Sequence, residues 1–224
     1  MKVYHRLRNT LRFRNVMLLL ILLLITGSWN HKVSEVRTER TFQIFLGRKK
    51  VGYLNIVHTR GSEKSRIQVF SKVEARFLFR YTAVGRETYE YRNDTLIHSD
   101  VFRKVNDHIS LQQTLVKHPE GYRYSDPESY RILPVSAVRL NMTRLFVQEP
   151  SSEEQVFSDR FAKWIPLKRL GKHQYEIELP NGSHNIFTYK NGKCTSVVSR
   201  GSFYKVRLVP DPSIEPPNAF KKMI

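Results

Sequence analysis

The amino-acid sequence predicts a mainly β domain, a single curled antiparallel meander or half-open barrel interrupted by two short helices. Three observations predict it. From about residue 38 the apolar residues recur with a period of two, the spacing of a half-buried strand. Turn-forming residues punctuate these runs about every 8 to 14 positions, as in an up-and-down meander. Thirteen Phe, eleven Tyr and two Trp supply the bulk that a large sheet needs in its interior.

The N-terminal stretch comes first and stands apart. Lys2, Arg6, Arg8, Arg12 and Arg14 form a basic leader without an acidic residue, and Val16 to Ile25 (VMLLLILLLI) follow as an unbroken apolar run. Thr26, Gly27 and Ser28 close it. Basic, apolar and then small is the order of a secretory signal peptide, here expected to be cleaved after Ser28. The apolar run is about ten residues, half of the roughly twenty that a stable membrane-crossing helix takes. An uncleaved N-terminal anchor is the alternative reading. No Cys follows the run to accept a lipid, and the single Cys194 excludes an intramolecular disulfide. That fits a bacterial periplasm or cell envelope better than a small eukaryotic secreted module, which is usually stapled. Residues 29–38 are expected to be flexible.

The formal net charge is +18; residues 1–28 hold five basic and no acidic side chains, so 33 against 20 remain, or +13. The remaining cations are mixed with acids along every strand, the pattern of a generally basic solvated surface. Together with export, this argues against a nucleic-acid partner and allows at most peripheral membrane contact.

Phe42, Ile44 and Leu46 open the β region, and Gly47-Arg48-Lys49-Lys50 and Gly61-Ser62-Glu63-Lys64 are short polar loops. The clearest alternation then runs through Ile67, Val69, Val73, Ala75, Phe77, Phe79 and Tyr81, with Gln68, Lys72, Glu74, Arg76 and Arg80 on the other face. Uninterrupted, it is a strand of some sixteen residues, on the order of 50 Å, which has to curl. A break or bulge near Ala75 is the alternative. Asn93-Asp94 and Asn106-Asp107 mark turns, and Ile109/Leu111/Leu115 and His173/Tyr175/Ile177/Leu179 mark strands. Asn181-Gly182 and Asn191-Gly192 are hairpin signals, because Asn and Gly accept positive φ; they bracket a strand from Ser183 to Lys190.

Residues 126–165 lose the period of two. Val138, Met142, Leu145 and Phe146 have helical spacing, and Ser151-Ser152-Glu153-Glu154 offers a capping box ahead of Val156, Phe157 and Phe161. This predicts a helical insertion around 136–162 that covers one mouth or edge of the sheet. The β domain is expected over 39–210, followed by an extended or disordered Pro-rich tail, 211–224.

Little in the chain carries chemistry. There is no G-x-S-x-G, and Cys194, inside a predicted strand, reads as a small buried hydrophobe. The eight His residues lack metal-binding spacing; His98 and Asp100, on one strand face, have the pattern of a hydrogen-bonding surface pair. No catalytic residue, metal or cofactor is expected, and the protein is read as non-enzymatic. The aromatics either fill the sheet's own interior or line a pocket for an apolar group. For the pocket, the candidate lining residues are Phe77, Phe79, Tyr81, Tyr89, Tyr91 and Trp164.

Three stretches carry a resemblance: Phe42 to Tyr53 (FQIFLGRKKVGY); Arg144 to Pro150 (RLFVQEP) with Val156 to Phe161 (VFSDRF); and Tyr175 to Gly182 (YEIELPNG) with Phe187 to Cys194 (FTYKNGKC). The chain resembles a family of uncharacterised exported bacterial β-rich proteins, a domain of unknown function, over roughly 40 to 210. It is more loosely similar to lipoprotein-carrier-like half-barrel proteins of the cell envelope. The resemblance implies no catalytic residues. The leading expectation is an exported, non-catalytic envelope protein that binds an apolar or amphiphilic ligand such as a lipid. A structural or protein-interaction module of the envelope is the alternative, and an envelope hydrolase stands third.

Overall fold

Fourteen strands among the described residues form one sheet in which every neighbouring pair is antiparallel. The structure, a computed structural model, describes residues 35–76, 80–202 and 204–211. The first arm comprises β1 (Val36–Leu46), β2 (Lys49–Arg60), β3 (Lys64–Arg76), β4 (Arg80–Arg92), β5 (Thr95–Val105), β6 (His108–His118), β7 (Gly121–Ser125) and β8 (Tyr130–Leu133). The second comprises β9 (Gln155–Ser158), β10 (Lys163–Gly171), β11 (Gln174–Glu178), β12 (His184–Lys190), β13 (Lys193–Gly201) and β14 (Tyr204–Pro210). The spatial order runs from β8 back to β1 and on from β14 to β9. The first and last strands therefore pair at mid-sheet, with Phe42 opposite Pro210 and Leu46 opposite Val206. β8 and β9 remain unpaired with each other, so the sheet is barrel-like and open.

The turns form where the sequence places them, except that Asn181-Gly182 makes no two-residue hairpin: residues 179–183 join β11 to β12 and only Gly182 has positive φ. Asn93 and Asp94, Asn106 and Asp107, and Asn191 and Gly192 all adopt positive φ between 46° and 71°. Successive central residues of that kind match the right-handed twist of the flanking strands. Gly52 meets a different demand: a Cβ there would lie 2.1 Å from the Lys72 carbonyl oxygen of β3, so only glycine allows the strands to pair this closely.

Four expectations are corrected. The sixteen-residue strand does not form, and the alternative break near Ala75 does: β3 ends at Arg76 and the chain returns as β4 with Arg80 opposite Arg76. Ile109 does not join Leu111 and Leu115 in the core: the register slips opposite Arg103 and Lys104, turning Ile109 outward at 59% exposure. β1 begins at Val36, within the segment expected to be flexible, and pairs with β2 from Val36 opposite Arg60 onward. Lastly, the two helices are absent; residues 126–165 contain a single 3-10 turn, Arg144–Phe146, and the second expected helix is replaced by β9. The leader, residues 29–34 and the tail beyond Asp211 lie outside the described residues.

The connector between β8 and β9, residues 134–154, is what the sheet curls around. Val138, Asn141 and Leu145 have no exposed surface, and Leu140 is also buried. The Phe146 ring packs edge-on against Phe42 of β1 at 5.5 Å and Phe187 of β12 at 5.4 Å, joining the two arms through the connector. An irregular buried segment has no ladder to satisfy its backbone, so other groups must do it. Leu140 O accepts from Phe157 N of β9 at 2.9 Å, and Val138 O from Leu96 N at 2.8 Å. Tyrosine hydroxyls supply three more. Tyr122 accepts from Val138 N at 3.0 Å, Tyr189 donates to Leu145 O at 2.7 Å, and Tyr175 donates to Pro150 O at 3.1 Å. β9 is thereby held on both edges and buried through Val156, Phe157 and Ser158, which is why its run of apolar residues lacks alternation. Replacing Tyr189 by Phe leaves the Leu145 carbonyl without its side-chain donor and should cost about 1–2 kcal/mol in urea unfolding. A loss indistinguishable from zero would show that the hydroxyl does not secure the connector.

Candidate functional site

The inner face of β4 carries Glu87 between Gly85 and Tyr89, since alternate residues of a strand share a face. β5 pairs with it so that Gly85 faces Arg103 and Glu87 faces Val101, which brings the Arg103 guanidinium beside the Glu87 carboxylate. Oε1 of Glu87 accepts from Arg103 Nε at 3.0 Å and Nη2 at 2.6 Å. Oε2 accepts from the Tyr89 hydroxyl at 2.7 Å and from Thr143 of the connector at 3.2 Å. Burial alone would raise the Glu87 pKa, but the Arg103 charge and these hydrogen bonds outweigh it and leave the pKa below the ordinary glutamate value.

Asp159, in the turn after β9, is the second buried carboxylate. Its Oδ2 accepts from Asn141 Nδ2 at 3.2 Å and its main-chain oxygen from Gln113 Nε2 of β6 at 2.7 Å. Its Oδ1 is buried with no hydrogen-bond partner. Burial, reinforced by the nearby Glu87 charge, pushes the Asp159 pKa up to about 7. Asn141 completes the link, its Oδ1 accepting from Tyr91 OH and Arg144 N, both at 2.9 Å. The two carboxylates differ because Arg103 is hydrogen-bonded to Glu87, whereas Asp159 feels that charge without pairing with it.

In front of this network lies a cleft of about 300 Å³ on the inner face of β3 to β6. Arg103, Lys104 and Arg160 supply its cations; Tyr81, Ala83 and Leu111 are among its less polar walls. Gly85 keeps it open, since a Cβ there would meet Ser71 Oγ at 2.6 Å. Arg103 belongs to both regions: its Nε and Nη2 hold Glu87, while the side chain is 41% exposed toward the cleft. Neither Glu87 nor Asp159 lines the cleft.

The expected lining residues that the structure describes stand in different surroundings. Tyr81 lines the cleft. Tyr89 and Tyr91 are 1% and 2% exposed and serve the polar network through their hydroxyls. Trp164, on β10, packs edge-on against Phe157 at 5.5 Å. Phe77 and Phe79 lie outside the described residues. Cys194 is fully buried, and burial pushes its thiol up to about 12. No group of three potential metal ligands occurs among the described residues.

Glu87, Arg103 and Asp159 were missed from the sequence. The first had a readable signal: Ala83, Gly85, Glu87, Tyr89 and Tyr91 share a strand face, and a carboxylate on a buried face requires a partner. Nothing local marks Asp159, which follows the buried Val156–Phe157–Ser158 run.

The sequence matches a family model described as Domain of unknown function (DUF6134), over residues 42–211. The chain belongs to this family. The DUF6134 match begins at Phe42, the buried anchor of β1, and takes in both carboxylates, the connector and the whole cleft lining. No curated protein matches the sequence. Among solved structures, the chain is similar to a β-barrel-like protein of domain of unknown function DUF1849 from Brucella abortus. The two share 8% identity with a TM-score of 0.49, over 79% of this chain and 96% of that one.

In this DUF6134 member the stretch Arg144 to Pro150 is the heart of the connector. Arg144 Nη1 donates to the main-chain oxygens of Asp94 and Arg139 at 3.0 and 2.7 Å, Nε donates to Gln148 at 3.1 Å, and Nη2 pairs with the Asp94 carboxylate. Its guanidinium also lies over the Tyr91 ring, 4.8 Å from the centroid. Glu149 accepts from Tyr175 OH and pairs with His173.

Proposed function

We propose that the protein is an exported, non-catalytic component of the cell envelope that binds a small amphiphilic ligand in the cleft between β3 and β6. The observation that carries this reading is the cleft itself: about 300 Å³, with mixed polar and apolar walls, at the lower end of small-molecule sites. It is too small to enclose the acyl chains of a whole phospholipid, so a free amphiphile fits it better. The loose likeness to lipoprotein-carrier half-barrels points the same way. A non-catalytic role is favoured because Glu87 is saturated by four hydrogen bonds and Asp159 is walled off from the cleft. Export is supported by the basic leader and the apolar run that follows it.

A purely structural role in the envelope is the second reading. The connector favours it, since it fills much of the interior that a lipid carrier would leave empty.

Native mass spectrometry of protein gently extracted from the periplasm tests both parts. The expected result is a chain lacking residues 1–28, carrying an adduct of roughly 150–300 Da, the size such a cleft holds. A clean apo mass would leave the structural reading, and a full-length mass in the membrane fraction would replace the exported protein with an anchored one.

A further inference from the structure

We propose that the ligand of this cleft is an anion, a carboxylate- or phosphate-headed amphiphile whose head is held by Nη1 of Arg103 and by Arg160, with its short apolar part against Tyr81, Ala83, Val105 and Leu111. The proposal rests on the reading of the cleft as a ligand site and names the class of ligand it takes.

Charge placement makes the case. Among the described residues, the cleft lining contains three cations, Arg103, Lys104 and Arg160, and no acidic side chain. Two of the three have protein partners. Lys104 Nζ lies 3.1 Å from the exposed Asp107 carboxylate, and Arg103 is tied to Glu87 through Nε and Nη2. Arg160 forms no ion pair or hydrogen bond with the described residues; its guanidinium sits 5.5 Å from the ring centroid of Phe161. One uncompensated positive charge therefore faces the cleft.

The donors are suited to an anion as well. A guanidinium presents five N–H groups in a fixed fork. With Nε and Nη2 turned to Glu87, the Nη1 of Arg103 makes no hydrogen bond to the described residues. An anion can bind there without breaking the Glu87 pair. Charge-assisted hydrogen bonds of this kind are about twice as strong as neutral ones, and two arginines suit a planar carboxylate or a phosphate better than a neutral alcohol. A cationic ligand would meet the unpaired Arg160 guanidinium and no acidic side chain among the described lining residues.

Size sets the other limit. A water molecule occupies about 30 Å³ in the liquid, so the cleft equals about ten waters and suits a ligand of on the order of ten non-hydrogen atoms. Octanoate meets that limit, whereas a two-chain lipid does not.

The test is isothermal titration of the exported chain with octanoate, octyl phosphate, octanol and octyltrimethylammonium at one ionic strength. Octanoate or octyl phosphate should bind at least tenfold more tightly than octanol, about 1.4 kcal/mol. Octyltrimethylammonium should not bind. Whichever anion binds more tightly identifies the head group. Arg160→Gln should reduce the affinity of that anion about tenfold, and because Arg160 holds no other residue in place the variant should fold normally. Arg92→Gln, exposed at the opposite end of β4 from Ala83 and Gly85, serves as the control for general surface charge and should change nothing. Octanol binding as tightly as octanoate would overturn the anion assignment and leave the ligand site standing. Equal weakening by Arg160→Gln and Arg92→Gln would also overturn it. Binding by none of the four would remove the ligand site together with the assignment.

Discussion

Replacing Arg144 with alanine should destabilise the protein by about 3 kcal/mol, with an earlier urea midpoint and no gain of function elsewhere. The effect has three physical sources. The substitution removes donors from two main-chain oxygens, those of Asp94 and Arg139, and from the Gln148 side chain. Each such loss costs about 0.5–1.5 kcal/mol where water can return and more where it cannot. It also empties the space over Tyr91, because the Arg144 side chain is only 7% exposed. Its ion pair with Asp94 adds little, since that carboxylate is largely in solvent and screened. Arg144→Lys keeps the charge and most of the stem but cannot reproduce the fork, so it should fall between wild type and Arg144→Ala. If Arg144→Lys were indistinguishable from wild type, the geometry of the guanidinium would not matter and the fork would be incidental.

The second large effect is a pH dependence of stability centred on Asp159. Its folded pKa, about 7, lies above the ordinary aspartate value of 3.8. A carboxyl with a raised folded pKa binds its proton more tightly in the native state. Stability is therefore greatest, as far as this group is concerned, below about pH 4, and is lost as pH rises from there through about pH 7. About three pH units at roughly 1.4 kcal/mol each give a loss on the order of 4 kcal/mol by pH 8. Glu87 acts in the opposite sense: its lowered pKa adds stability above its unfolded value and withdraws it as pH falls. Asp159→Asn separates the two. The amide retains an acceptor for Asn141 and never ionises, so the variant should melt on the order of 10 °C above wild type at pH 8. At pH 5 less than half of that advantage should remain. A difference in melting temperature that stays constant from pH 5 to pH 8 would refute the assignment of the raised pKa to Asp159.

What could be read in advance, and what could not, divides along a physical line. Asn93-Asp94, Asn106-Asp107 and Asn191-Gly192 were legible because positive φ is a property of the residues in the turn itself. The inward face of β3, with Ile67, Val69 and Ala75 buried, was legible because alternation needs only a strand and a wet side. The connector was not. Val138, Met142, Leu145 and Phe146 have the spacing of a helix, yet their segment is mostly buried, with Arg139 alone exposed between Val138 and Phe146, so no regular solvent face imposes a period. Glu153 shows how a local signal can be diverted. It accepts from the backbone of Ser151 at 2.8 Å and Ser152 at 3.1 Å, as a capping residue does, but closes a turn that leads into β9.

The aromatics show the same division. Their number called for an interior to fill or a pocket to line, and both uses are present in different places. Tyr81 faces the cleft, whereas Tyr122, Tyr175 and Tyr189 carry hydroxyls that satisfy the connector backbone. Which tyrosine does which depends on where an irregular segment passes, and no strand's own sequence encodes that.

The sequence by itself determined the β class, the antiparallel meander and most of its turns, because these follow from side-chain period and backbone preference over a few residues. Only the tertiary structure decided that the first and last strands pair, that the connector rather than a helix fills the half-barrel, and that Glu87, Arg103 and Asp159 meet behind a basic cleft. Those are contacts between residues far apart along the chain, and their energies come from burial and from charges brought together, which exist only once the sheet has curled.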